Sequence, residues 1–141
     1  MLTPEAALLS SLSDSYGAPL AEFYYDHSKA LLYIRWHGNL TAAEVIRGVQ
    51  EASQLRQKHA FVKVLNDKRD TAGDWSEALP WLQYEWLPRA VAAGLRAIAY
   101  ILSPDLEAQI VSQVFVEAVR PQLNVSLFSN EAAARRWLAS E

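Results

Sequence analysis

The chain has 141 residues, 51% of them hydrophobic and 21% charged, with 13 Lys and Arg against 16 Asp and Glu for a net charge of −3. That length and balance describe a single soluble globular domain with a core of its own, and the lack of a Lys/Arg cluster argues against a nucleic-acid surface. No cysteine is present, which excludes disulfides, thiolate metal sites and cysteine nucleophiles. With no apolar run of membrane length and no basic stretch ahead of the short apolar run at the N-terminus, a cytoplasmic location is expected.

In chain order, Thr3-Pro4-Glu5 reads as a helix start, and a short helix from Pro4 to about Leu12 is predicted. It forms an N-terminal extension over residues 1–20, ahead of one domain over 21–141. Ala21 to Tyr25 and Leu31 to His37 are strand-like runs joined by Asp26-His27-Ser28-Lys29, the pattern of a hairpin. Thr41 and Glu44 have capping-box spacing and Leu40 with Val45 the spacing of a hydrophobic staple, so a helix is predicted from there to about His59. Its buried stripe would be Val45, Ile46, Val49 and Ala52.

The stretch from Phe61 to Leu102 reads as a β-α-β unit, which normally gives two parallel strands with a right-handed crossover. Phe61 to Leu65 is the first strand, broken at Asn66-Asp67 by a charged loop that runs to Asp74. Asp74 and Glu77 repeat the cap spacing, placing a helix start near Trp75. Pro80 and Pro88 then interrupt a regular helix, because each lacks the N–H it would need. On helical spacing Trp75, Leu79, Leu82 and Trp86 share one stripe, and Trp81, Tyr84 and Pro88 another. Gly94 closes the helix before a strand from Leu95 to Leu102. Ser103-Pro104-Asp105 caps a helix to about Arg120, whose stripe of Leu106, Ile110, Val111, Val114, Phe115 and Ala118 is wide enough to pack on two sides. Val125 to Phe128 is the last strand, and Ser129 or Asn130 caps a last helix anchored by Ala134, Trp137 and Leu138.

Three local patterns carry a family resemblance: VLND at the end of the first central strand, W-x(5)-W-x(4)-W-L-P after it, and the closing FSNEAAARRWL. With the order of elements, they make the chain from about Glu22 to Leu138 resemble the SpoIIAA-like (STAS, CRAL-TRIO related) bacterial proteins. The resemblance implies an α/β fold in which an N-terminal antiparallel hairpin leads into a parallel sheet in chain order, with helices mainly on one face. It also implies a functional edge at the C-terminal ends of the strands. In the family's anti-sigma-factor antagonists a phosphorylated serine sits in an Asp-Ser-Ser-Gly motif after this strand. Here the region reads NDKRDTAGDWSEA; the motif is absent, and Thr71 and Ser76 are the nearby hydroxyls. Other branches are membrane-associated or bind apolar ligands.

The candidate site is the segment that would follow the first central strand, where ligands usually sit in open α/β sheets: Asn66, Asp67, Asp70, Thr71, Asp74 and Ser76, with Trp81 and Tyr84 of the helix beside it. Charged residues that simply solvate a loop, and aromatics that simply pack, are the plainer account of the same positions. A metal at Asp67, Asp70 and Asp74 lacks supporting spacing, and His27, His37 and His59 fall in separate elements. No nucleophile elbow or phosphate loop is present. The expected function is therefore a non-enzymatic binding or regulatory module, without cofactor, that engages a protein partner or an apolar ligand through the Trp-rich helix; a second copy of the chain is one such partner. The alternatives are a peripheral, membrane-associated carrier of lipid or another apolar ligand and, behind it, a small hydrolase. Two structural expectations follow: Arg35, Lys63 and Arg96 point away from the main helices, and the central helix is irregular near Pro80 and Pro88.

Overall fold

The computed structural model describes residues 6–141. Six strands form one sheet in the order β1-β2-β3-β4-β5-β6. β1 (Ala6–Ser13), β2 (Pro19–Asp26) and β3 (Leu31–Asn39) are antiparallel neighbours, and β4 (Lys63–Ala72), β5 (Ala97–Ile101) and β6 (Asn124–Phe128) continue in parallel. The expected helix over the N-terminal stretch is instead β1. Its local helix-start signal, Thr3-Pro4-Glu5, lies outside the described residues. From Ala6 onward, pairing with the otherwise open edge of β2 overrides the helical propensity.

The β2–β3 hairpin turns through a 3₁₀ turn, His27–Lys29, in which Asp26 accepts the Lys29 N–H at 3.3 Å, and Ala30 takes the left-handed conformation at φ 49°. Helix α1 (Ala42–Arg56) starts as its residues dictate. Thr41 Oγ1 accepts the Glu44 N–H, Glu44 Oε1 accepts the Thr41 N–H at 3.1 Å, and Leu40 and Val45 are buried beside the cap.

Strand β4 is longer than its sequence suggests. The charged run from Asn66 to Thr71 is not a loop; it stays in the sheet as far as Ala72. Arg35 pairs with Asp67 but His37 with Asp70, so β4 has one residue more than β3 over that interval and bulges at Lys68-Arg69. Thr71 Oγ1 donates to the Lys68 carbonyl at 2.8 Å and pins the bulge.

The helical segment after β4 is continuous but changes pitch. A 3₁₀ turn (Ser76–Ala78) leads into a single α turn, α2 (Leu79–Trp81), a π turn (Leu82–Trp86) and then α3 (Leu87–Ala92). Pro80 and Pro88 each stand in the first turn of a new stretch, where a missing donor costs least. The expected irregularity is therefore present at both prolines. The Asp74/Glu77 capping box is not: Asp74 Oδ1 accepts the Ser76 N–H at 2.9 Å, and Trp75 stands at the cap position without a side-chain bond. Gly94, at φ 105°, ends the helix as expected. Helix α4 (Leu106–Val119) is capped by Asp105, later than the Ser103-Pro104 signal suggested, and α5 (Glu131–Ala139) by Asn130. Only one side of α4 is packed, through Ala108, Val111, Phe115, Val116 and Val119; Leu106, Ile110 and Val114 form an exposed ridge.

Side-chain alternation divides the sheet into two layers. Ile34, Trp36, Val64, Ile98 and Tyr100 face α1, the central helix and α4 in the larger core. Leu31, Tyr33, Leu65, Ala97, Ala99 and Ile101 face α5 in the smaller one. The three basic residues follow the expected layering. Lys63 donates to the Leu138 carbonyl at 2.6 Å and Arg96 to that of Glu141 at 3.3 Å, both on α5 or just beyond it, while Arg35 shares the alternation of Tyr33 and pairs with Asp70. Gly48 lets α1 close on the sheet, since a Cβ there would stand 2.3 Å from Cη2 of Trp36.

Candidate functional site: an aromatic cavity ending at a buried lysine

Between α1, the central helix and the sheet lies a cavity of about 840 Å³. Its aromatic walls are Trp36 from β3, Trp75, Trp81 and Trp86 from the central segment, Phe61 before β4 and Phe115 from α4. Phe115 is the back wall, with ring centroids 6.5 Å from Trp75, 6.2 Å from Trp86 and 6.1 Å from Tyr100. The inner lining is buried, whereas Ser53 and Gln54 of α1, Gln57 just after it, and Arg89 and Ala93 opposite them are exposed, so the cavity runs from the surface into the core. Arg56 ties the two sides of the rim together: its guanidinium donates to the Ala93 carbonyl at 3.2 Å and lies 5.0 Å from the Phe61 ring centroid.

The π turn shapes this wall. In a regular α-helix, Trp81 and Trp86 would lie roughly 140° apart around the axis, on separate stripes. A π turn closes its hydrogen bond from i to i+5 and brings residues five apart toward one side. Trp81 and Trp86 accordingly both line the cavity.

At the inner end lie Asn66, Lys68 and Tyr100. Asn66 Oδ1 accepts the Trp36 indole N–H at 2.9 Å. Lys68 is 3% exposed, and its Nζ sits 3.8 Å from the Trp75 ring centroid and 5.4 Å from those of Trp36 and Tyr100. No hydrogen-bond acceptor or carboxylate among the described residues meets that amine. Burial pushes Lys68 down to about 7 and pushes the Tyr100 hydroxyl well above its ordinary range. The Trp75 indole nitrogen is buried without a hydrogen-bond partner among the described residues.

The opposite face of β4 is arranged differently. Asp67, buried, accepts from Tyr33 Oη at 2.5 Å and from Arg69 Nη2 at 2.6 Å, and Arg69 reaches on to Glu131 at 3.1 Å. Burial works to raise the Asp67 carboxyl, but the bonds from Arg69 and Tyr33 outweigh it and hold the group below its ordinary range. Tyr33 is raised, chiefly by burial and then by Asp67.

The residues predicted for a site are therefore dispersed. Asn66 and Trp81 line the cavity; Asp67 is under α5, Asp70 pairs with Arg35 at the surface, and Thr71 holds the bulge. Asp74 and Ser76 form the turn before the helix, and Tyr84 is 68% exposed, away from the cavity. Lys68, the most unusual side chain in the lining, is not among the predicted site residues, although its neighbours Asn66, Asp67 and Asp70 are. Its signal was period-two alternation with Val64 and Asn66 on the face that carries the large core. Among the described residues no group of three His, Cys, Asp or Glu converges on a metal position, and no helix is long and apolar enough to cross a membrane.

This mixed sheet, with a hairpin entering a parallel series and helices on both faces, defines an α/β protein of the SpoIIAA-like kind. The SpoIIAA-like family model matches residues 31–139, and the chain belongs to that family. Among solved structures it is similar to an uncharacterized protein of the DUF3478 family with a SpoIIAA-like fold from Shewanella loihica PV-4, at 17% identity, 98% coverage of both chains and a TM-score of 0.46. The comparison with curated proteins gives no match.

Proposed function

We propose that this SpoIIAA-like chain is a non-enzymatic binding module that takes an apolar small molecule or lipid tail into the cavity between α1 and the central helix. The observation that carries the reading is the cavity itself. Its volume of about 840 Å³ and its walls of four tryptophans and two phenylalanines match the size and apolar character of small-molecule sites. A cleft that runs inward beneath the central helix favours a ligand that enters it over a flat docking patch. The lining holds no Asp, Glu or His, so a hydrolytic reaction would lack the usual acid and base there. The pitch changes of the central helix place the wall most exposed to an entering ligand on the least regular segment, which suits a regulatory response to occupancy.

Titration with the neutral fluorophore N-phenyl-1-naphthylamine tests this reading. Saturable binding of one probe per chain is expected, with transfer from the lining tryptophans. Ser53→Trp, at the exposed rim, should weaken binding by roughly tenfold or more, equivalent to about 1.4 kcal/mol, without lowering the unfolding midpoint. Absence of saturable binding, or equal affinity in the variant, would leave the cavity as a packing feature alone.

A further inference from the structure

The charge of the lining is one-sided. Lys68 stands at the inner end and Arg56 and Arg89 at the rim, and no carboxylate faces the cavity from β3, β4, β5, α1, the central helix or α4. This occurs in a chain whose net charge is −3. The two arginines are already accommodated: Arg89 is exposed, and the half-buried Arg56 donates to a backbone carbonyl and lies over the Phe61 ring. Lys68 Nζ has no acceptor among the described residues to compensate its burial, only the faces of three aromatic rings. The nearest carboxylate in sequence, Asp67, is on the other side of the sheet and engaged by Tyr33 and Arg69. Of the other polar side chains at the inner end, Asn66 Oδ1 receives the Trp36 indole N–H, and Lys68 bonds to neither Asn66 nor the Tyr100 hydroxyl. What the inner end lacks is an acceptor for the lysine.

Resting on the binding function proposed above, we infer that the ligand is an apolar monocarboxylic acid that enters head first, its carboxylate meeting Lys68 Nζ and its hydrocarbon part lying along Trp81, Trp86 and Phe61. The alternation of β4 places Lys68 for this role: Lys68 faces the cavity with Val64 and Asn66 while Asp67 and Arg69 face the α5 side, so the charges of NDKRD are sorted between two faces and the cavity receives a cation alone. An acid head would bring Lys68 a charge-assisted hydrogen bond in a site of low dielectric, where such a bond is strong. An alcohol or ester could offer only a neutral acceptor. Because the amine is held near neutrality by burial, arrival of the carboxylate also draws a proton onto it.

Isothermal titration of the full chain at about pH 8 with decanoate, decan-1-ol and methyl decanoate separates the possibilities. All three should bind, decanoate roughly tenfold or more tightly than the other two. Repeating the decanoate titration in buffers of different ionisation enthalpy should show net proton uptake. In Lys68→Met the preference and the proton uptake should both disappear while decan-1-ol still binds, and Lys68→Gln serves as the polar control. Equal affinity for acid and alcohol, or a preference that survives in Lys68→Met, overturns the inference and leaves the binding function standing. Failure of all three ligands to bind overturns both.

Discussion

Lys68 makes the stability of the protein depend on pH in an unusual direction. An amine brought down from 10.5 to about 7 by burial withholds roughly 4–5 kcal/mol at about 1.36 kcal/mol per pH unit. Above the ordinary lysine range both folded and unfolded chains hold the amine neutral, and nothing is lost. As pH falls toward 7 the unfolded chain takes up a proton that the folded one refuses, so stability declines, and below about 7 it levels off because both states are charged. Stability should therefore rise by about 2–3 kcal/mol between pH 7 and pH 9, a window that stops short of tyrosine ionisation. The assay is urea unfolding followed by tryptophan fluorescence at several pH values, on the parent and on Lys68→Met. The variant removes the titrating group and keeps most of the volume, so it should be the more stable protein near pH 7 and should lose the extra slope. If parent and variant show the same pH slope over this window, the lysine is charged and solvated in the folded chain, and the reasoning fails.

Two further substitutions test the frame of the cavity. Gly48→Ala puts a Cβ 2.3 Å from a Trp36 ring carbon, which should cost about 1–3 kcal/mol in urea unfolding; an unchanged midpoint would mean that α1 does not rest on that ring. Arg69→Met removes the main charged partner of the buried Asp67 carboxylate, with an expected loss of about 1–3 kcal/mol at neutral pH, since Arg69 is partly exposed and Tyr33 still donates. Because the Asp67 carboxyl is depressed in the folded chain, that contribution is present above the ordinary carboxylate range and fades as pH falls through the depressed one. The gap between Arg69→Met and the parent should accordingly narrow below about pH 4, and a constant gap would show that the arginine acts through packing.

What could be read in the sequence was what is decided locally. The Thr41/Glu44 cap and the Leu40/Val45 staple involve residues within one turn, and α1 starts where they put it. Pro80 and Pro88 act on their own turns, and the helix changes pitch at both. The parallel order of strands and the layering of Arg35, Lys63 and Arg96 follow from alternation and crossover handedness. The failures are decided by partners distant in the chain. NDKRD looks like a loop because charges rarely enter a sheet. Here all but Lys68 find a partner on another element: Asp67 with Tyr33 of β3, Asp70 with Arg35 of β3, and Arg69 with Glu131 of α5. Ala6–Ser13 forms a strand because β2 offers an edge, which its own residues do not announce. The cavity lysine was hidden by the same misreading, since a residue assigned to a loop has no face.

A π turn holds one residue more than the α turn it replaces. In the history of a chain such a turn is equivalent to the insertion of a single codon, and removing any one residue between Leu82 and Trp86 would restore ordinary helical winding. Trp81 and Trp86 would then stand four apart, roughly 40° around the axis, and would still share one wall. The π turn thus absorbs the extra residue within the segment Leu82–Trp86, and the aromatic wall keeps its shape on either side of it. Two relatives whose tryptophans stand five apart through a π turn and four apart through an α turn would present similar interiors.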